Sequence, residues 1–169
     1  TWTKMIGRQL EGRTVAIIGF GRIGKKVASL LKPFNVRLIA IDCNAKEKMP
    51  GVEFLPLEKA IREADILTLH SSGEQCLLGE KEFGLMKQGT LLLNAARGEL
   101  IDEVQLINAL ESGKIGGAWL DVFHEEPYNG PLRKYSQVIL TPHVGSYTVE
   151  CRRLMENESV ENLIKAFNA

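Results

Sequence analysis

The run TVAIIGFGRIGKKVASLLKPF, residues 14–34, decides the reading of the chain. Its first five residues are β-branched or small and apolar, as a strand buried on both faces requires. Gly19, Gly21 and Gly24 follow in the spacing G-F-G-R-I-G. Ile23, Val27, Leu30 and Leu31 then recur at i, i+4, i+7 and i+8, one face of a helix that Pro33 prevents from continuing. In a strand–glycine loop–helix unit the glycines have separate tasks. Gly19 permits the tight turn, Gly21 lets backbone approach a pyrophosphate, and Gly24 lets helix and strand pack closely. The helix N-terminus then offers free N–H groups to the anion. Asp42 closes the next apolar run, 18 residues beyond Gly24. A carboxylate there accepts hydrogen bonds from the adenosine ribose hydroxyls and repels a 2'-phosphate, which favours NAD over NADP.

Outward from this unit, short apolar runs at 15–18, 36–41, 52–55, 65–69, 90–93, 117–120 and 138–140 alternate with amphipathic stretches. The alternation predicts an α/β fold of the Rossmann type, a doubly wound parallel sheet of about seven strands in three layers. Asp102 stands where an N-cap belongs, Gln105 can reach back to it from the third helical position, and Gly113 stops that helix. A long helix is expected over 146–168, free of Gly and Pro, with Val160, Leu163, Ile164 and Phe167 on one face. Its length suggests that it reaches toward another domain or subunit, the alternative being that it covers an edge of the sheet.

With 169 residues, 44% hydrophobic and 25% charged, the chain has the makings of one packed core, here taken as a single domain over 1–169. Lys plus Arg and Asp plus Glu balance at 21 each, so no global field draws nucleic acid or an anionic membrane. Cys43, Cys76 and Cys151 form no Cys-x-x-Cys pair, so no metal site is expected and a reducing cytoplasm is the expected location. No apolar run reaches a membrane span.

Three further segments carry chemistry: N-A-A-R-G-E-L-I-D-E with Arg97, L-D-V-F-H-E-E-P with Glu126, and T-P-H-V-G-S with His143. Each follows an expected strand, and in an open parallel sheet the ligand crevice lies outside the carboxyl ends of the strands. Residues distant in sequence can therefore meet in one cleft. His70 ends another strand and is expected to line the cofactor cleft, whereas His124 is expected to be an exposed loop residue.

In order and spacing these motifs, with the opening residues 2–12, resemble the D-isomer-specific 2-hydroxyacid dehydrogenases, of the phosphoglycerate-dehydrogenase-like kind, over nearly the whole chain. The resemblance implies an NAD-dependent oxidoreductase acting on a small 2-hydroxy or 2-keto acid, and a homodimer. It implies His143 as general acid–base, Glu126 rather than Glu125 as its carboxylate partner, and Arg97 as the substrate-binding guanidinium. It also implies cofactor contacts from Arg22 and Ile23 at the pyrophosphate and adenosine, and from Ser71 and Ser72 on the adenosine side. Ala95 and Asp121 would approach the nicotinamide ribose and carboxamide, and Gly145 and Ser146 would close over the nicotinamide. Two departures stand out. The loop from Ser71 to Cys76 lacks the family's Pro and is short, and little precedes the cofactor fold. The expectation is a substrate domain largely absent from this chain, which would bind NAD but turn over little hydroxyacid. A catalytically silent NAD-sensing or protein-docking module of the corepressor type is the alternative, against which the intact trio speaks.

Overall fold

The computed structural model describes residues 7–43, 49–73 and 75–168. Residues 2–6 of the opening segment and Glu74 of the 71–76 loop therefore lie outside the described residues.

Seven parallel strands form one sheet in the order β3-β2-β1-β4-β5-β6-β7. They are β1 (Thr14–Ile18), β2 (Arg37–Ile41), β3 (Val52–Phe54), β4 (Ile66–Leu69), β5 (Thr90–Asn94), β6 (Ile115–Leu120) and β7 (Val138–Leu140). The order reverses between β1 and β4, the switch point at which loops from the two halves diverge and leave a crevice. Successive strand residues point to opposite faces, and the core divides accordingly. Val15, Ile17, Leu38 and Ala40 pack with Ala28 of helix α1 (Arg22–Leu31). Ala16, Ile18, Ile39, Leu67 and Leu92 pack on the other side with helices α2 (Leu57–Glu63), α3 (Glu80–Leu85) and α4 (Glu103–Glu111). The three expected layers are present.

On the α1 side the cover ends near β1. Farther along that face Leu91 is 44% exposed and Ile139 63% exposed. Helix α5 (Val149–Phe167) buries none of its residues, so it does not serve as a sheet-edge cover. It starts three residues later than the periodicity predicts and ends one residue sooner. The Gly145 N–H is engaged by Asp121, and the Tyr147 N–H donates to the Val144 carbonyl in a turn. Helix can begin only beyond that turn, where the Thr148 hydroxyl caps it by accepting from the Cys151 N–H. At α4 the expected cap is half present: the Asp102 carboxylate accepts the Gln105 N–H at 3.1 Å. The Gln105 side chain accepts from Asn108 one turn later instead of reaching back.

Candidate functional site

The glycine loop leaves β1 and enters α1. Gly19 has φ +89°, a left-handed conformation, and a methyl group there would lie 2.6 Å from the His70 carbonyl and the Ser71 nitrogen. Gly24 is closed by the Gly19 carbonyl. Gly21 is different, because a methyl group at that position would meet nothing within 4 Å. Two glycines thus serve packing, and the middle one faces open space at an α1 N-terminus that no side chain caps. Free N–H groups beside an open glycine suit a pyrophosphate. Arg22 and Ile23 are exposed at the mouth. At the end of β2, Asp42 accepts the Phe20 N–H at 2.7 Å and so ties the loop to the strand end. The residues present fit a dinucleotide: an uncapped helix start beside an open glycine, and a carboxylate at the end of the neighbouring strand.

At the end of β4, His70 is half-buried and its Nε2 lies 3.0 Å from the Thr68 hydroxyl. Burial pushes its imidazole below the usual value, toward the neutral form. Ser71 and Ser72 follow on the same rim, half-buried and exposed respectively. His124 is exposed and 4.0 Å from Glu99.

The other half of the rim is built by the loops after β5, β6 and β7, which are neighbours in the sheet. Asn94, 1% exposed at the end of β5, accepts the Ala96 N–H and donates to the Arg97 carbonyl, folding the turn that carries Ala95 and Arg97. The exposed Arg97 guanidinium donates to the Ala96 carbonyl at 2.6 Å. Gly98 is pressed against the Phe123 and His124 backbone so closely that no Cβ fits. This contact brings the Arg97 loop against the one that bears Glu126.

Glu126 is held at both oxygens. Oε1 accepts the Phe123 N–H at 3.1 Å, and Oε2 lies 2.9 Å from His143 Nδ1. The bond from His143 is the main reason that the Glu126 carboxyl sits below its ordinary range, with the Phe123 N–H adding to it against the cost of burial. An ionised Glu126 fixes the tautomer in which Nδ1 carries a proton and Nε2 faces outward. Phe123 and Tyr128 stack at 4.4 Å and brace the loop. Beside the pair opens a cavity of about 550 Å³, lined in part by Phe123, Tyr128, Arg133 and Leu140.

His143 adopts φ +52°, uncommon for a residue with a side chain. Asp121, at the end of β6 and 1% exposed, accepts the Thr141 hydroxyl at 2.6 Å and the Val144 and Gly145 N–H groups at 2.9 Å each. Burial opposes its charge, but these three bonds outweigh that cost and keep the carboxyl below its ordinary range. Asp121 is thus turned toward its own neighbouring loop. Ser146 is exposed beyond it.

The structure gathers the expected residues along one rim and joins Glu126 directly to His143. Sequence reasoning missed Asn94 and Thr141. Asn94 opens the N-A-A-R segment and Thr141 opens T-P-H, but neither carries a periodic or charge signal that marks it as a buried staple. Among the described residues no group of three or more His, Cys, Asp or Glu side chains could hold a metal.

An open parallel sheet with a glycine-lined phosphate cradle, a strand-end acid and a histidine–carboxylate pair on one rim defines a dinucleotide-binding domain of the oxidoreductase type. Residues 1–145 match the family model for the D-isomer-specific 2-hydroxyacid dehydrogenase NAD-binding domain, and the chain belongs to that family. It is 42% identical over 166 residues to a glyoxylate reductase of Pyrococcus furiosus, covering 94% of this chain and 49% of that protein. A glyoxylate reductase of Aeropyrum pernix is also 42% identical, over 168 residues, with 95% and 50% covered. Among solved structures, the NAD-complexed D-isomer-specific 2-hydroxyacid dehydrogenase of Lactobacillus delbrueckii ssp. bulgaricus superposes with TM-score 0.89 at 31% identity, covering 100% of this chain and 58% of that one. The 2-hydroxyacid dehydrogenase of Ketogulonicigenium vulgare gives TM-score 0.91 at 31% identity, with 98% and 54% covered. The chain thus spans about half the length of the curated relatives it matches.

Proposed function

We propose that this domain holds NAD along the rim and supplies the acid–base and anchoring groups for hydride transfer between the cofactor and a D-2-hydroxy or 2-keto acid. The observation that carries the reading is the 2.9 Å His143–Glu126 contact, on the same strand-end rim as Arg97 and the glycine loop. Gly21, Arg22 and Ile23 would border the pyrophosphate on the turn that Gly19 and Gly24 shape, and Asp42 would receive the adenosine ribose. Ser71 and Ser72 border the adenosine side. Ala95, Asp121, Gly145 and Ser146 frame the nicotinamide end. Bound NAD supplies the hydride acceptor or, when reduced, its donor.

The chain's own residues do the rest. Nε2 of His143 takes the hydroxyl proton in oxidation and returns one to the developing alkoxide in reduction. Glu126 stabilises the imidazolium in between. The Arg97 fork binds the substrate carboxylate and polarises the keto oxygen. The relatives' name favours a small 2-keto acid of the glyoxylate class. A cytoplasmic homodimer is part of the same reading. No helix among the described residues is long and apolar enough to cross a membrane, and the face around Ile139 is open to a second copy.

Calorimetric titration with NADH, followed by glyoxylate-dependent NADH oxidation, tests the proposal. NADH should bind to the chain with its heat retained in His143→Ala. Turnover should be small, because the His143 and Glu126 side chains are 52% and 37% exposed and water is not excluded from the reacting centre. Whatever turnover occurs should vanish in His143→Ala and Arg97→Ala. Absence of NADH binding, or turnover indifferent to both substitutions, sinks the reading.

A further inference from the structure

The loop that carries His143 is held by a chain of hydrogen bonds that starts outside the candidate site. Trp119 lies on β6 in register with Leu93 and Ile139, on the open face of the sheet. Its indole N–H donates to the Thr141 hydroxyl oxygen at 3.1 Å. An indole nitrogen is only a donor, whereas a hydroxyl has one proton and two lone pairs. With one lone pair taken by the indole, the Thr141 proton is directed to Asp121 Oδ1, 2.6 Å away. Oδ1 also accepts the Val144 N–H and Oδ2 the Gly145 N–H. The directions are therefore fixed: the indole donates to the hydroxyl, the hydroxyl donates to the carboxylate, and two successive backbone amides donate to the same carboxylate. His143 sits inside the loop so closed. Its own N–H donates to the Thr141 carbonyl at 3.0 Å, and its φ of +52° is strained for a residue with a Cβ. Such a conformation persists only where its surroundings over-determine it.

We propose that Trp119 and Thr141 are positioning residues for His143: by orienting the Asp121 carboxylate they hold the left-handed turn that presents the imidazole to Glu126. The inference rests on the reading of His143 as the proton-transfer group, but its readouts require no turnover. It also gives buried Asp121 a task within the protein, since both of its oxygens serve chain donors.

The test uses NMR of the 169-residue chain with Thr141→Val, Thr141→Ser and Trp119→Phe. Thr141→Val is nearly the same shape but can neither accept from the indole nor donate to the carboxylate. It should raise amide exchange at Val144 and Gly145 by about tenfold or more relative to the amides of β1. It should shift the Trp119 indole N–H signal and return the Glu126 carboxyl titration part of the way toward the ordinary range, because the contact with His143 is the main cause of its depression. Thr141→Ser keeps the hydroxyl and should restore all three readings. Trp119→Phe removes only the first donor and should give the amide and Glu126 changes in weaker form. A residue that merely filled space would not move the Glu126 titration, nor would serine rescue it. Unchanged Val144 and Gly145 exchange with an unchanged Glu126 titration in Thr141→Val overturns the proposal. If that variant fails to fold, the same absence of change in Trp119→Phe overturns it. A chain that binds no NADH yet shows these loop effects would refute the functional reading and leave this inference in place.

Discussion

The two halves of the rim are built by different means. On the adenosine side, the β1–α1 loop is shaped by backbone pressed on backbone: Gly19 against the His70–Ser71 peptide and Gly24 against the Gly19 carbonyl. On the catalytic side, two buried polar side chains, Asn94 and Asp121, fold the loops that bear Arg97 and His143. Close packing leaves a single shape, since no rotamer can be changed to relieve it. Polar staples hold a shape only while their hydrogen bonds and charges persist. The adenosine half should therefore fail abruptly on substitution, and the catalytic half should loosen by degrees and with pH.

The largest effect that would break this contrast is at Gly24. Gly24→Val forces a branched side chain against the Gly19 carbonyl and Ile17. We expect a loss of roughly 3 kcal/mol or more in urea denaturation, with NADH binding no longer measurable by calorimetry. A stable variant that still bound NADH would mean that the loop has slack. Next in size is Gly98→Ala, because at Gly98 on the catalytic side backbone meets backbone as tightly. The cost should be about 1–3 kcal/mol, and the Phe123 and His124 amides should shift in NMR spectra while those of the glycine loop stay in place. Shifts spread over both halves would show the rim to be one mechanical unit.

The same difference explains what could be read from the residues alone. The seven strands, their parallel layering and the tight glycine turn into α1 were legible because apolar period and glycine spacing are local signals tied to backbone geometry. Asp42, Arg97, Glu126 and His143 were legible as charged groups after strands. The staples were not, since Asn94, Thr141 and Trp119 are ordinary strand-end or strand residues until the loops around them are known. The start of α5 was misplaced for a related reason. Ser146 and Tyr147 have no helix-breaking chemistry, and it is the tertiary bonds from Val144 and Gly145 to Asp121, with the turn that follows them, that keep these residues out of the helix. Periodicity likewise showed that α5 has an apolar stripe, but not that the stripe stays exposed.

Acid separates the halves more gently. Asp121 and Glu126 both sit below their ordinary carboxyl range. A depressed carboxyl contributes stability that is fully present above its unfolded value, roughly pH 4, and is lost as pH falls through its folded value. Urea midpoints should slip modestly between about pH 7 and pH 5, because the half-buried His70 imidazole resists the proton that it takes up in the unfolded chain, and should decline further below roughly pH 4 as the two carboxyls are protonated. Asp121→Asn should lower stability at neutral pH by about 1–3 kcal/mol and make the acid decline shallower, since one depressed group has been removed. An acid limb as steep as that of the parent chain would place the sensitivity elsewhere, for example at Asp65, whose carboxyl is also depressed: the Thr14 N–H and the Lys87 ammonium outweigh its burial cost.

The smallest predicted effect concerns cofactor choice and sharpens the adenosine side. Asp42 binds the Phe20 N–H with one oxygen and ends the strand against which the glycine loop rests. Its carboxylate therefore combines a structural bond with a charge that opposes a 2'-phosphate. Asp42→Asn separates the two, because the amide oxygen can still accept from Phe20 while the negative charge is gone. NADH affinity should fall by only a fewfold and NADPH affinity should rise, moving the preference by about tenfold, or roughly 1.4 kcal/mol. Asp42→Ala loses both features, so it should shift the preference by a similar factor while weakening NADH further. The difference between the two variants measures what the hydrogen bonding of this side chain, the Phe20 bond included, gives to the cradle. Equal NADH affinities in Asn and Ala would show that the glycine loop holds its shape by backbone packing and the Gly19–Ile41 backbone hydrogen bond, without help from the Asp42 side chain.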